Sequence, residues 1–288
     1  MTKDLGAATF EELIARTGWG VSPPEIDLDH LRDEFNLPEA DTGRWIIEEV
    51  GFTEWQKSSE SRVLWLCGGP GTGKTTLAKR VAAEFLKGLN DPPDRVKLIF
   101  HFVSPGPPAN THSADEEGLS QPSLAKVSSD LLYGILQQDS KLFNICKAEL
   151  EKQGDKFFTN PCSLWKVLRK VIQDCQMDPV YILIDGIDGL KGSLHRELMR
   201  RILALMDIRT IKIIFSSRNV PHIANNLSSG SLKLTKVDLD TNDFVKKDVE
   251  AFIRYQVNEL GWDTNLKKRA KKALLAKSEG TFLWGLKS

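Results

Sequence analysis

Residues 63–81 read VLWLCGGPGTGKTTLAKRV. Five apolar residues pass into a run holding Gly68, Gly69, Gly71 and Gly73, and then into a segment of helical period. Val63–Cys67 has the composition of a strand buried on both faces of a parallel sheet. Gly68 to Thr75 matches G-x-x-x-x-G-K-[ST] in the context that gives the pattern meaning, after a strand and at the start of a helix. The glycines let the backbone curl around an anion with its N–H groups turned inward, and the helix from Lys74 adds the positive end of its dipole. Pro70, Thr72 and Thr76 complete the expected phosphate loop. Lys74 is expected to reach the β- and γ-phosphates of a nucleotide and to share in the chemistry there. The Thr75 hydroxyl is expected to bind Mg²⁺.

A rhythm of strand and helix starts here. Short apolar runs recur at 96–103, 180–184, 211–215 and 232–239, separated by stretches of helical period. In SLWKVLRKVIQDC, Leu164, Val167, Leu168, Val171, Ile172 and Cys175 fall on one helical face. The alternation predicts an α/β fold: a P-loop domain with a five-stranded, mostly parallel sheet flanked by helices. Residues 104–122, rich in proline and glycine, read as a long loop. After residue 240 only helical patterns remain, the first capped by Thr241 or Asn242 and the second broken near Gly280. The expected organisation is a turn-rich helical lead-in over 1–60, a nucleotide-binding domain over 61–239 and a small helical subdomain over 240–288. In the lead-in, Thr9 and Glu12 form the pattern of a capping box. The apolar end, GTFLWGLKS, has no partner in view and suggests a truncated chain.

A phosphate cradle needs a metal anchor. In VYILIDGIDGL, Asp185 ends an apolar run, where a carboxylate is costly unless something pairs with it, and Mg²⁺ is the natural partner. No Glu follows directly, unlike the usual AAA-type motor. Asp188, three residues on, is the candidate for orienting an attacking water, against the alternative of a helix cap for 193–206, where Gly192 or Ser193 suits better. Arg218 follows the strand at 211–215 and falls on the carboxyl edge of the sheet. It is a candidate sensor of a γ-phosphate, against the alternative of a surface salt bridge.

Bulk properties narrow the classes. The chain has 288 residues, with 39 basic and 39 acidic side chains. No overall basic field would attract nucleic acid or an anionic membrane. The basic run LKKRAKKALLAK reads as the solvated face of a helix. No apolar stretch is long enough to span a membrane. The four cysteines show no CxxC spacing and the five histidines form no ligand pattern, which suits reduced thiols in the cytoplasm.

Taken together, GGPGTGKTT, LIDGIDGL, FSSRNVP and EGTFLWGL resemble the NACHT domains of fungal NOD-like receptors, of the STAND class of signalling P-loop NTPases. The resemblance covers about residues 30–288. It implies that LPEADTGRWI packs on base and sugar, which makes Thr42, Gly43 and Arg44 candidates for binding them. It implies Mg²⁺ with ATP or ADP, GTP and GDP remaining open. It also implies an oligomerisation switch in innate-immunity-like or heterokaryon incompatibility signalling, with an effector domain and sensor repeats in the full-length protein. The isolated module is expected to be mostly monomeric. Where the family has Asp-Gly/Ala-x-Asp-Glu, this chain has Gly189 in the last place, which implies slow hydrolysis. A catalytic phosphotransferase or kinase is the alternative, and an AAA-type motor a third.

Overall fold

In this computed structural model the described residues are 42–87, 98–103, 123–278 and 280–282, without 155, 191 and 229–231. The capping box at Thr9 and the loop at 104–122 lie outside them. Five strands, β1 (Arg62–Cys67), β2 (Ile99–Phe102), β3 (Val180–Asp185), β4 (Ile211–Ser217) and β5 (Leu234–Asp238), form one sheet in the order β2-β3-β4-β1-β5. Every pairing is parallel, so the expected mostly parallel sheet is wholly so among the described residues. Before β1 come α1 (Trp45–Glu48) and α2 (Val50–Lys57). Next come α3 (Lys74–Leu86), between β1 and β2, and α4 (Leu124–Gln138), α5 (Phe143–Gln153), α6 (Lys156–Thr159) and α7 (Pro161–Asp174), between β2 and β3. α8 (Leu194–Leu203) and α9 (Pro221–Ser228) flank β4, and α10 (Asp243–Glu259) and α11 (Thr264–Ser278) follow β5.

Local signals set these boundaries. α7 begins where Asn160 Oδ1 accepts the N–H groups of Cys162 and Ser163, with Pro161 in the first turn, where its missing N–H costs nothing. Its Leu164, Val167, Leu168, Val171 and Ile172 are all buried, as their spacing requires. Asn242, not Thr241, caps α10 by accepting the Phe244 N–H at 2.8 Å. α11 ends at Ser278, and Gly280 follows with φ +74°.

Period-2 alternation sends the strand side chains into two cores. Val63, Trp65 and Cys67 of β1 meet the layer built from α4, α5, α7, α8 and α9. Leu64 and Leu66 meet the opposite layer, where Ile46 and Trp55 of the lead-in and Val245, Val249, Ile253 and Val257 of α10 join α3. The lead-in and the helical unit after β5 therefore share one core with the sheet.

A lysine is buried in this sheet. Lys212 in β4 is 0% exposed and its ammonium donates to the Glu60 carbonyl at 2.7 Å. Burial, with Arg62 nearby, pushes its pKa down to about 8. An unfolded lysine titrates at about 10.4, so between these values the unfolded chain binds more protons and stability rises with pH. The penalty for burying the charge is full below pH 8 and is relieved above it. We therefore expect the stability of wild type relative to Lys212→Met to rise by on the order of 1 kcal/mol from pH 7.5 to pH 10. Urea unfolding of both proteins at the two pH values measures this. Shared effects, including the raised thiols of Cys67 and Cys146, cancel in the difference. A flat difference would show that Lys212 is hydrated in the folded state.

Candidate functional site

At the carboxyl end of β1 the chain turns through Gly68–Gly73 into α3, as the glycine run requires. Gly73 is the N-cap residue with φ +82°, and no side chain caps the helix. The first-turn N–H groups of α3 therefore face the loop's concavity rather than a capping oxygen. Gly68 is required sterically, because a Cβ there would stand 2.7 Å from Thr72 Oγ1 and 3.0 Å from Leu239 Cβ. The half-buried Lys74 curls over the loop, and its ammonium donates to the carbonyls of Gly68 at 2.8 Å and Gly69 at 2.6 Å. Burial lowers its pKa, while Asp188, Asp185 and Asp240 pull the other way.

The strand order decides what stands beside the loop. β4 lies between β1 and β3, so Ser216 sits between the loop and Asp185. Asp185 is 3% exposed. Its Oδ2 accepts from Thr75 Oγ1 at 2.7 Å, and its Oδ1 accepts from Ser216 Oγ. Burial raises its pKa, and the hydroxyls of Ser216 and Thr75 partly restore it. Thr75 and Asp185, the expected metal pair, are thus brought together from α3 and β3. Two hard oxygen donors beside a phosphate cradle fit Mg²⁺, which takes one or two protein ligands and completes its shell with water and phosphate. Among the described residues no cluster of three or more His, Cys, Asp or Glu offers an all-protein cage.

Asp188 and Arg218 come together with each other. Asp188 sits in a short 3₁₀ turn, Ile187–Gly189, and caps no helix. Ser193 holds the N-cap position of α8 without a side-chain bond. Asp188 Oδ1 accepts the Arg218 backbone N–H at 3.1 Å, and Oδ2 accepts from Arg218 Nε. Arg218 is 52% exposed and Asp188 is 12% exposed. The salt bridge weighed as an alternative for Arg218 is therefore present, and its partner is the other candidate.

A cavity of about 450 Å³ opens from the loop. Gly71, Thr72, Gly73, Lys74 and Thr75 line one part of it. Thr42, Gly43, Thr76, Leu77, Val245, Asp248 and Phe252 line the remainder, with Phe282 over the loop. Gly68, Gly69, Pro70, Asp185, Asp188 and Arg218 do not line it, and neither does Arg44, which is exposed.

Sequence reasoning missed Asp240, Asp248, Phe252, Phe282 and Ser216. Asp240 Oδ1 accepts the Gly69 N–H at 2.7 Å. The Phe282 N–H donates to the Gly71 carbonyl at 2.8 Å, and its ring packs on Gly73 and edge-on against Phe252. The apolar end that lacked a partner in sequence thus finds one at Phe282. The helical unit is fastened to the phosphate loop just before α10 and just after α11. One signal was present for Asp248: an acid between Val245 and Phe252, on the apolar stripe of α10.

The family model described as "Nephrocystin 3, N-terminal" matches residues 41–218. Vegetative incompatibility protein HET-E-1 of Podospora anserina is 27% identical over 249 residues, covering 83% of this chain and 17% of that protein. The chain therefore spans less than a fifth of the length of this relative. Among solved structures, a DNA replication initiation factor aligns over 82% of this chain and 57% of its own, with TM-score 0.40 and 14% identity. PCH-2 of C. elegans aligns over 89% and 60%, with TM-score 0.38 and 14% identity.

Proposed function

We propose that this chain, which belongs to the nephrocystin 3 N-terminal family, is a nucleotide-dependent switch module that binds ATP or ADP with Mg²⁺ and hydrolyses slowly. The resemblance to fungal NACHT domains is borne out by the family match and by the likeness to HET-E-1. The carrying observation is the Thr75–Asp185 contact at 2.7 Å beside an α3 whose first turn no side chain caps. That arrangement suits a Mg-nucleotide. Thr75 and Asp185 would hold Mg²⁺, which would offset phosphate charge. Lys74 would exchange its two carbonyl contacts for terminal phosphate oxygens. Thr42 and Gly43 would lie against base and sugar. Calorimetry with the Mg²⁺ forms of ADP, ATP, GDP and GTP tests this, and binding of none overturns it. GTP or GDP binding more tightly would correct the base alone.

Slow turnover follows from the Asp188–Arg218 pair. Each carboxylate oxygen of Asp188 already has a donor on Arg218, and Gly189 supplies no second acid. Asp188 can orient water only as part of that pair. We expect Asp188→Asn and Arg218→Ala each to slow hydrolysis by about tenfold, with the double variant no slower than either single one. Additive losses in single-turnover assays would show that the two act separately. Turnover of about 1–100 per second would instead favour a phosphotransferase or a motor.

Our reading extends to the division into a lead-in over 1–60, a nucleotide domain over 61–239 and a helical subdomain over 240–288. It places the module in the cytoplasm, in a receptor with effector and sensor parts, as a monomer that oligomerises on activation. No described helix is long and apolar enough to cross a membrane. Sedimentation with and without Mg-ATP tests the oligomerisation.

A further inference from the structure

The part of the cavity farther from Lys74 is not built by the sheet. Its wall includes Thr42 and Gly43, which come from the lead-in and lie between Leu77 of α3 and Asp248 of α10. Gly43 fits against α3 without space to spare: with φ +77°, a Cβ there would meet Leu77 Cδ2 at 2.8 Å. On the other side stands Asp248 of α10. Its Oδ2 accepts the Gly43 backbone N–H at 2.8 Å and the Trp45 indole N–H at 2.8 Å. The Trp45 ring then stacks on Phe244, one turn earlier on α10, with centroids 5.5 Å apart and planes 13° apart. One carboxylate oxygen therefore ties the lead-in to the helical unit across more than 200 residues of sequence.

We propose that Asp248 is the positioning residue that assembles the nucleoside wall, so that preference for a nucleotide over bare polyphosphate depends on this side chain. The inference rests on the reading of the site as a nucleotide site. Asp248 acts through Gly43: its hydrogen bonds go to Gly43 and Trp45 of the lead-in, not to the loop residues that cradle phosphate. Burial makes this a costly place for a carboxylate, and the Trp45 and Gly43 donors offset the cost. Losing Asp248 leaves two N–H groups without their acceptor and frees the wall segment to move. It leaves Lys74, Thr75 and Asp185 in place. Because both donors converge on a single oxygen, an amide oxygen in the same position can serve both.

The test measures dissociation constants of Mg-ADP and of Mg-tripolyphosphate for the full chain. The proteins are wild type, Asp248→Ala, Asp248→Asn, Trp45→Phe and Lys74→Ala. Asp248→Ala should lose about tenfold or more in Mg-ADP affinity, the worth of hydrogen bonds to a charged acceptor, with tripolyphosphate unchanged within about twofold. Asp248→Asn should stay within about threefold of wild type for both ligands. Trp45→Phe keeps the stack and removes one of the two bonds, and should fall between, which preserves the test if Asp248→Ala does not fold. Lys74→Ala should weaken both ligands. Equal losses for the two ligands in Asp248→Ala or Trp45→Phe would make Asp248 a purely structural residue and overturn the proposal. So would unchanged Mg-ADP affinity, or a wild type that binds tripolyphosphate as tightly as Mg-ADP. A wild type that binds neither ligand would overturn the nucleotide reading itself.

Discussion

Lys74→Ala should lower affinity for Mg-nucleotide by about 100-fold or more while the fold survives. Charge-assisted hydrogen bonds are worth roughly 1.5–3 kcal/mol each, and the lysine can offer two or more to terminal phosphate oxygens. The structure adds a reason for the fold to persist. Among the described residues the Lys74 ammonium bonds to the carbonyls of Gly68 and Gly69, and burial already disfavours its charge. The loop keeps its other ties, from Gly69 N–H to Asp240, from Gly68 N–H to Ser217 O and from Phe282 N–H to Gly71 O. Removing the side chain should therefore move the melting temperature of the free protein by only about 2–4 °C, the equivalent of about 1 kcal/mol. Calorimetry and a thermal melt decide it together. Unchanged affinity sinks the phosphate-cradle assignment. A collapse in melting temperature would mean that Lys74 is chiefly a brace for the loop.

The second large effect belongs to Asp185. Asp185→Asn should remove the dependence of nucleotide affinity on Mg²⁺, by about 10–100-fold in the metal-dependent part. The free protein should be no less stable than wild type. Asp185 is 3% exposed and its carboxyl is held above the usual range by burial, so its charge is a burden to the fold. An amide of the same shape removes that burden and can still accept from Ser216 or Thr75. A residue kept for stability would show the opposite pattern. Melts with and without Mg-ADP, and titrations in the presence and absence of EDTA, separate the two. If Asp185→Asn keeps the full benefit of Mg²⁺, the anchor must be sought elsewhere.

Some of this was legible one residue at a time. The turn from Val63 to Val81 announces itself because its parts are local: a strand by composition, a loop by its glycines, a helix by its period. Asp185 is legible for a related reason, since a carboxylate closing an apolar run is costly and the cost implies a partner. The strands and α7 follow from periodicity, which requires only that one face of each element meet a core.

What the sequence by itself determined, then, is the alternating α/β architecture and the glycine turn from β1 into α3, together with Thr75 and Asp185 as the pair proposed to hold a metal. The tertiary structure alone decided which distant pieces meet. Placing β4 between β1 and β3 put Ser216 on Asp185 and set Arg218 against Asp188, joining two candidates that in sequence were separate. Docking α10 onto the lead-in brought Asp248 to Gly43 and Trp45, and the chain after α11 brought Phe282 onto the loop. The physical reason is that these contacts span 30 to more than 200 residues and rest on one or two hydrogen bonds each and on ring contacts. A carboxylate on a helix looks the same in sequence whether it faces water or a backbone N–H. Only the packing of one element on another settles which.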